Sequence, residues 1–262
     1  MNIVHAFILG IIQGITEFLP ISSSAHLVLV PGLFNWPQQS LTFDIVVHAG
    51  SLMAILYYYR EKIASIAKPL FTSKLPDQAS KKLIVNIIIT SVPTALSFLL
   101  FKDYLDNTFS SLKVIPYTLF FGGILLICAD SYSKKIKEHK SLNKKIAFLI
   151  GIGQGISLIR GISRSGASLT VGLFGGVKRK QLIEYVFLAS IPVITAGLLL
   201  EMVLYLREPT PENGSAITVG LLSSAASSYF AIKLLNAFLA RNIIFLSGVY
   251  RIVLALILIF LV

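Results

Sequence analysis

Two short stretches of this sequence concentrate side chains that can handle phosphate. The first runs Gln13-Gly-Ile-Thr-Glu17-Phe-Leu-Pro20-Ile-Ser22-Ser23-Ser24-Ala-His26, and the second Arg160-Gly-Ile-Ser163-Arg164-Ser165-Gly166-Ala-Ser168. Gln13 and Glu17 stand four apart and so share a face of a helix, Pro20 ends that helix, and a run of three hydroxyls leads to His26. In the second stretch Arg164 sits among hydroxyls beside a glycine that frees backbone N–H groups, which is the donor set of a phosphate cradle. Together they offer a serine nucleophile, a histidine to carry protons, a glutamate to orient groups or bind a metal, and an arginine for a phosphoryl group. Such a set suits hydrolysis of a phosphate ester or anhydride.

The elements that must position these groups are membrane helices. Of 262 residues 55% are hydrophobic and only 13% charged, with mean hydropathy +0.80, against roughly one-quarter charged in soluble domains. Apolar windows long enough for a bilayer core of about 30 Å fall near 41–59, 83–101, 114–131, 183–206, 215–237 and 243–262, which predicts six spanning helices. The regions 4–33 and 146–174 are apolar but broken by Gly, Pro, Ser and charges. They are expected to be re-entrant helical hairpins, because irregular backbone at membrane depth survives only where protein or a wet cavity satisfies it. The expected fold is therefore all-α and polytopic.

The net charge of +11 does not mark a nucleic-acid partner, because the cations lie in short loops. With 60–82, 132–145, 176–182 and 238–242 in the cytoplasm, 16 basic residues face that side and only Lys102, Lys113 and Arg207 the other. That asymmetry follows the positive-inside rule and puts both termini outside. Four cations remain inside apolar segments: Arg160, Arg164, Lys233 and Arg251. The first apolar run lacks a basic n-region and is interrupted by Gln13 and Glu17, so a cleaved signal peptide is not expected and the mature chain is expected to start at or near Met1.

Laying Gly10–His26 over Gly151–Ala167, an offset of 141, gives eight identities in seventeen positions, including Gly10/Gly151, Gln13/Gln154, Gly14/Gly155, Ser22/Ser163 and Ser24/Ser165. Each half then reads as one hairpin and three spans, and three crossings invert the second half relative to the first. The chain is expected to be one membrane domain, 1–262, built from repeats 1–131 and 146–262 joined by a basic cytoplasmic linker, 132–145. Inverted repeats place their site near the midplane, where broken helices meet.

Both motifs resemble those of the bacterial undecaprenyl pyrophosphate phosphatase family, the bacitracin-resistance proteins, and the likeness spans essentially the whole chain, including Phe43-Asp44 and Tyr250-Arg251. The resemblance implies an integral-membrane hydrolase of the inner bacterial membrane that converts undecaprenyl pyrophosphate to the monophosphate carrier reused in peptidoglycan synthesis, with a site open to the extracytoplasmic side. It also implies roles. Glu17 matches an essential glutamate associated with a divalent cation such as Mg2+, and Gln13 its partner. Ser23 matches the proposed nucleophile, His26 the proton-transfer histidine and Arg164 the pyrophosphate-binding arginine. Ser22, Ser24, Ser163, Ser165 and Ser168 are flanking hydroxyls on the substrate. Partners would be a polyprenyl diphosphate, membrane lipid and no nucleic acid, with a homodimer left open. Two positions depart from the family pattern: Arg160 stands where Pro is usual, and Ser168 where Thr is. Arg160 has two readings, a ligand for the outer phosphate or a cation that snorkels to the interface. Attack by Ser23 and attack by a water activated by His26 are both open.

Two competitors frame this reading. A phosphatidate-type lipid phosphatase needs a second histidine after its Ser-Arg element, and no His follows residue 139. A secondary transporter or lipid flippase shares the inverted-repeat architecture. Among the remaining polar residues, Asp44 and His48 are expected to form a structural hydrogen-bonded pair, and Arg251 to tie the last span to a neighbouring carbonyl or carboxylate.

Overall fold

The computed structural model describes residues 1–71, 77–109, 111–207, 213–237 and 242–261. Lys74 and Arg241, two of the cations assigned above to cytoplasmic loops, lie outside the described residues. The helices are α1 Ile3–Phe18, α2 Ser23–Leu33, α3 Leu41–Tyr58, α4 Arg60–Ala67, α5 Gln78–Phe109, α6 Ile115–Lys135, α7 Lys144–Ile156, α8 Arg164–Phe174, α9 Arg179–Arg207, α10 Gly214–Ala237 and α11 Ile243–Leu261. Among the described residues there is no strand, only an isolated bridge between Lys140 and Val177.

Six helices, α3, α5, α6, α9, α10 and α11, are long and apolar enough to cross a membrane, and they are the six expected from the sequence. Their outward faces are apolar, with Leu99 76% and Phe260 86% exposed, as lipid contact requires. α5 begins at Gln78, before the apolar window, because Asp77 caps it by accepting from Ser80 N at 2.6 Å. The surface helix α4, which buries no residue, lies in a region read above only as loop.

The broken regions form two helix pairs. α1 and α2 have 16 and 11 residues, α7 and α8 have 13 and 11, each short of the roughly 20 that span a bilayer. Asn2 and Asn143 cap α1 and α7 by accepting from His5 N at 2.8 Å and Ile146 N at 3.0 Å. The breaks are centred on Ser22 and Ser163, repeat mates with φ of 76° and 70°. Non-glycine residues rarely adopt such angles, which cost of order 1–3 kcal/mol unless the surroundings enforce them.

The two pairs are held in corresponding ways. α1 packs on α10 and α7 on α5, at crossings close enough that the matched glycines are obligatory. A Cβ at Gly14 would lie 2.5 Å from Ser224 O, and one at Gly155 2.6 Å from Ser97 Cβ. Lipid tails supply no hydrophobic drive between helices, so close approach and hydrogen bonds hold them together. Ser224 Oγ donates to Val47 O at 2.6 Å and Ser228 Oγ to Ser51 Oγ at 3.0 Å, joining α10 to α3. Opposite, Thr90 Oγ1 donates to Ala147 O at 2.8 Å and Thr94 Oγ1 to Gly151 O at 3.1 Å, joining α5 to α7. At one end of the bundle, buried Asp130 pairs with Lys134 at 2.9 Å and Arg179 at 2.8 Å, tying α6 to the start of α9.

Gly14→Ala is expected to lower the thermal midpoint of the detergent-purified chain, by an overpacking cost of about 1–3 kcal/mol. Gly32→Ala, where a Cβ meets nothing within 4 Å, serves as control and should leave it unchanged. Equal midpoints would show that the α1–α10 crossing is looser than described.

Candidate active site

The turns at Ser22 and Ser163 aim the N-termini of α2 and α8 into one cavity of about 230 Å3, lined by Thr16, Glu17, Ser22, Ser23, Ser24, Ser163 and Arg164, with His48 from α3, Thr94 from α5, Gln154, Ser157 and Leu158 from the second pair, and Val193, Ile194, Gly197, Leu198 and Glu201 of α9. Helix N-termini carry unsatisfied N–H groups and partial positive charge, the requirements of an anion site. No side chain caps α2, so its first-turn N–H groups stay available; at α8 the Ser163 hydroxyl accepts from Gly166 N at 3.1 Å.

Glu17 is the hub. Arg164 Nη2 lies 2.5 Å from Oε1, while Oε2 accepts from Ser23 Oγ at 2.8 Å and Gln13 Nε2 at 3.0 Å. His48 Nε2 stands 3.9 Å from the same oxygen. Arg164 is held in turn by Ser190 O, which accepts from Nη1 at 3.3 Å. A carboxylate at membrane depth is costly unless compensated, and here both oxygens are. The Ser23 hydroxyl therefore has its proton directed at a carboxylate, the relation between a nucleophile and its base.

Around the cavity, four lining pairs are repeat mates at the offset of 141: Thr16/Ser157, Glu17/Leu158, Ser22/Ser163 and Ser23/Arg164. A second, apolar cavity of about 420 Å3 lies between α5 and α9 and shares Thr94, Leu158, Val193 and Gly197 with the first.

The structure sorts the residues singled out in the sequence. Glu17, Ser22, Ser23, Ser24, Ser163 and Arg164 line the cavity; Gln13, His26, Arg160, Ser165 and Ser168 do not. Gln13 is fully buried behind Glu17. Ser165 Oγ donates to Leu19 O at 3.3 Å, locking one turn to the other. Ser168 is fully buried within α8. The carbonyl of Arg160 accepts from Thr118 Oγ1 at 2.7 Å. His26 has both ring nitrogens engaged, Nδ1 with Ser22 O and Nε2 with Tyr250 Oη, each at 2.7 Å. The expected Asp44–His48 pair takes a different form: His48 Nδ1 donates to the Asp44 backbone carbonyl at 2.8 Å, which turns Nε2 toward Glu17. His48, Thr94, Gln154, Ser157 and Glu201 were not assigned to the site from sequence; for Gln154 and Ser157 the repeat itself was the available signal, as mates of Gln13 and Thr16.

Among the described residues no three His, Cys, Asp or Glu side chains converge on a metal position. What is present is two lining carboxylates, Glu17 and Glu201, beside hydroxyls, the sparse protein ligation with which Mg2+ is held when phosphate oxygens and waters complete its shell.

A family model described as bacitracin resistance protein BacA matches residues 6–257. The chain is similar to proteins named undecaprenyl-diphosphatase from Campylobacter concisus (37% identical, covering 100% of this chain and 99% of the relative) and Moorella thermoacetica (37%, covering 97% and 96%). That of Saccharophagus degradans is 38% identical, covering 97% and 96%.

Breaking the Glu17–Arg164 pair from either side strands a largely buried charge. Glu17→Gln and Arg164→Gln should each lower thermal stability, by about 3–5 kcal/mol at most for a fully buried pair, and the double variant should lose less than the sum. A strictly additive double-mutant cycle would show that the two groups do not interact.

Proposed function

The chain belongs to the bacitracin resistance protein BacA family, and we infer that it is a membrane-embedded hydrolase converting undecaprenyl diphosphate to undecaprenyl phosphate and inorganic phosphate. The activity returns the lipid carrier to peptidoglycan synthesis and fits the bacitracin resistance after which the family is described. The observation that carries the chemistry is the Ser23 hydroxyl donating to Glu17 at 2.8 Å in a cavity floored by two helix N-termini and Arg164. The transporter alternative is not favoured, since the similar proteins are named for hydrolysis.

In this reading the diphosphate sits against Arg164, the first-turn N–H groups of α2 and α8, and the hydroxyls of Ser22, Ser24 and Ser163, donors that strengthen as negative charge gathers on the transferring group. Ser23 Oγ attacks the terminal phosphorus and passes its proton to Glu17, while the bond to the bridging oxygen breaks and undecaprenyl phosphate leaves. Water then hydrolyses the phosphoserine, with Glu17 handling its proton. Gln13 keeps the carboxylate oriented. A divalent cation, Mg2+ by the chemistry of the donor set, would be held by Glu17 and substrate oxygens and would neutralise diphosphate charge. The prenyl chain occupies the apolar cavity between α5 and α9. The shortness of the two helix pairs supports re-entrant hairpins within a single membrane domain of two inverted repeats, 1–131 and 146–262, joined by the linker 132–145. The positive-inside arrangement supports a cytoplasmic 132–145 end and, with the cavity beside the later turns of α9, a site open to the extracytoplasmic face of the inner bacterial membrane.

Phosphate release from undecaprenyl diphosphate by the detergent-purified chain with Mg2+ tests this. Ser23→Ala, Glu17→Ala and Arg164→Ala should each lower kcat by about 100-fold or more, the scale lost with one preorganised catalytic group, and EDTA should suppress turnover. Full activity in Ser23→Ala would redirect the mechanism to direct attack by water; no release by folded wild-type protein would remove the hydrolase reading.

A further inference from the structure

Both strained turns are held from behind by one helix. On α11, Tyr250 and Arg251 are consecutive and reach different turns. Tyr250 Oη meets His26 Nε2 at 2.7 Å, their rings stacked 5.7 Å apart with 12° between planes, and His26 Nδ1 meets Ser22 O at 2.7 Å. A carbonyl oxygen only accepts, so Nδ1 carries the proton and, in the neutral ring, Nε2 accepts from the tyrosine hydroxyl. The ring's single lone pair is thereby spent on Tyr250, and Ser23 directs its own proton to Glu17 instead. Arg251, 1% exposed, donates from Nη2 to Gly161 O at 2.9 Å and Thr118 O at 3.4 Å. Gly161 has φ of 96° and directly precedes the second turn. Gly122 on α6 makes room for the guanidinium, since a Cβ there would lie 2.9 Å from Arg251 Cζ.

We propose that Tyr250 and Arg251 form a brace in which His26 is a positioning residue: α11 fixes Ser22 through His26 and Gly161 through Arg251, presenting the two helix N-termini to the same phosphate. His26 then acts by holding the Ser22 carbonyl and moves no proton. The activity arms below rest on the hydrolase reading; an exchange arm does not.

The discriminating pair is His26→Asn and His26→Ala. An asparagine amide can reproduce the Nδ1–H donor to Ser22 O but cannot relay a proton, whereas general acid–base catalysis by histidine is worth roughly 10²–10⁴-fold. With full-length protein in detergent and undecaprenyl diphosphate as substrate, His26→Asn should keep kcat within about tenfold of wild type with an unshifted pH profile, and His26→Ala should lose at least about 100-fold. Tyr250→Phe, which retains the ring and loses only the hydroxyl, should lower kcat several-fold without raising KM. It should also speed amide hydrogen exchange across residues 19–27, and Arg251→Lys should do the same across 157–166. His26→Asn as inactive as His26→Ala, or a pH profile that loses a limb in His26→Asn, would overturn the proposal and return the proton to His26. Unchanged exchange in both α11 variants would overturn the brace itself. Wild-type protein that releases no phosphate would fail the hydrolase reading alone, because the exchange arm still decides the brace.

Discussion

The Glu17–Arg164 ion pair is the interaction on which the site depends. It joins the end of the first broken helix to the start of the last one in the second pair, across the interface between the two halves of the chain. Removing either partner leaves a largely buried charge without its counterion, which is far costlier than never having had the pair. Once the pair is made, the remaining carboxylate oxygen has fixed neighbours, and Gln13, Ser23 and His48 converge on it. Structural and chemical demands therefore coincide in one side chain. The group that needs compensation at membrane depth is also the one toward which the Ser23 hydroxyl points.

The helices around this pair are arranged by close approach more than by hydrophobic segregation. Where α1 meets α10 and α7 meets α5, matched glycines and short hydroxyl side chains bring backbones together and share hydrogen bonds between helices. α5 and α9, by contrast, leave an apolar gap beside the polar cavity. In a bilayer such a gap is filled by lipid, and an apolar chain would enter it without having to displace water or break a polar contact. Close-packed, hydrogen-bonded seams flank the polar cavity, while the seam between α5 and α9 is open.

Much of this was legible from residue types alone. Six spans, two broken pairs and the internal repeat follow from runs of apolar residues and from glycine and serine spacing, which the bilayer makes unusually readable by forcing every backbone group to be satisfied internally. Arg251 was expected to tie α11 to a neighbouring carbonyl or carboxylate, and it holds two carbonyls, Gly161 O and Thr118 O. What sequence did not reveal is direction. Ser165 and His26 belong to the motifs but spend their donors on backbone carbonyls; a serine facing a ligand and one facing a carbonyl look alike until the turn is built. His48 was masked for a related reason. Its i, i+4 relation to Asp44 suggested a partner on its own helix, whereas the bond is to the Asp44 backbone and the other nitrogen looks across to α1. Glu201 sits in an otherwise apolar stretch of α9 and joins the cavity only through tertiary packing.

The repeat-related lining has a consequence for how a diphosphate is oriented. A cavity with true twofold symmetry would hold the two phosphorus atoms of a diphosphate interchangeably, and the nucleophile would meet the esterified one as often as the terminal one. Two of the four matched pairs break the tie: Glu17 in one half corresponds to Leu158 in the other, and Ser23 to Arg164. Leu158 belongs to the apolar cavity as well, so that half of the polar cavity is continuous with an apolar surface while the half carrying Glu17 and Ser23 is not. Which phosphorus stands nearer the Ser23 hydroxyl then rests on how far two halves of one chain have diverged at two positions.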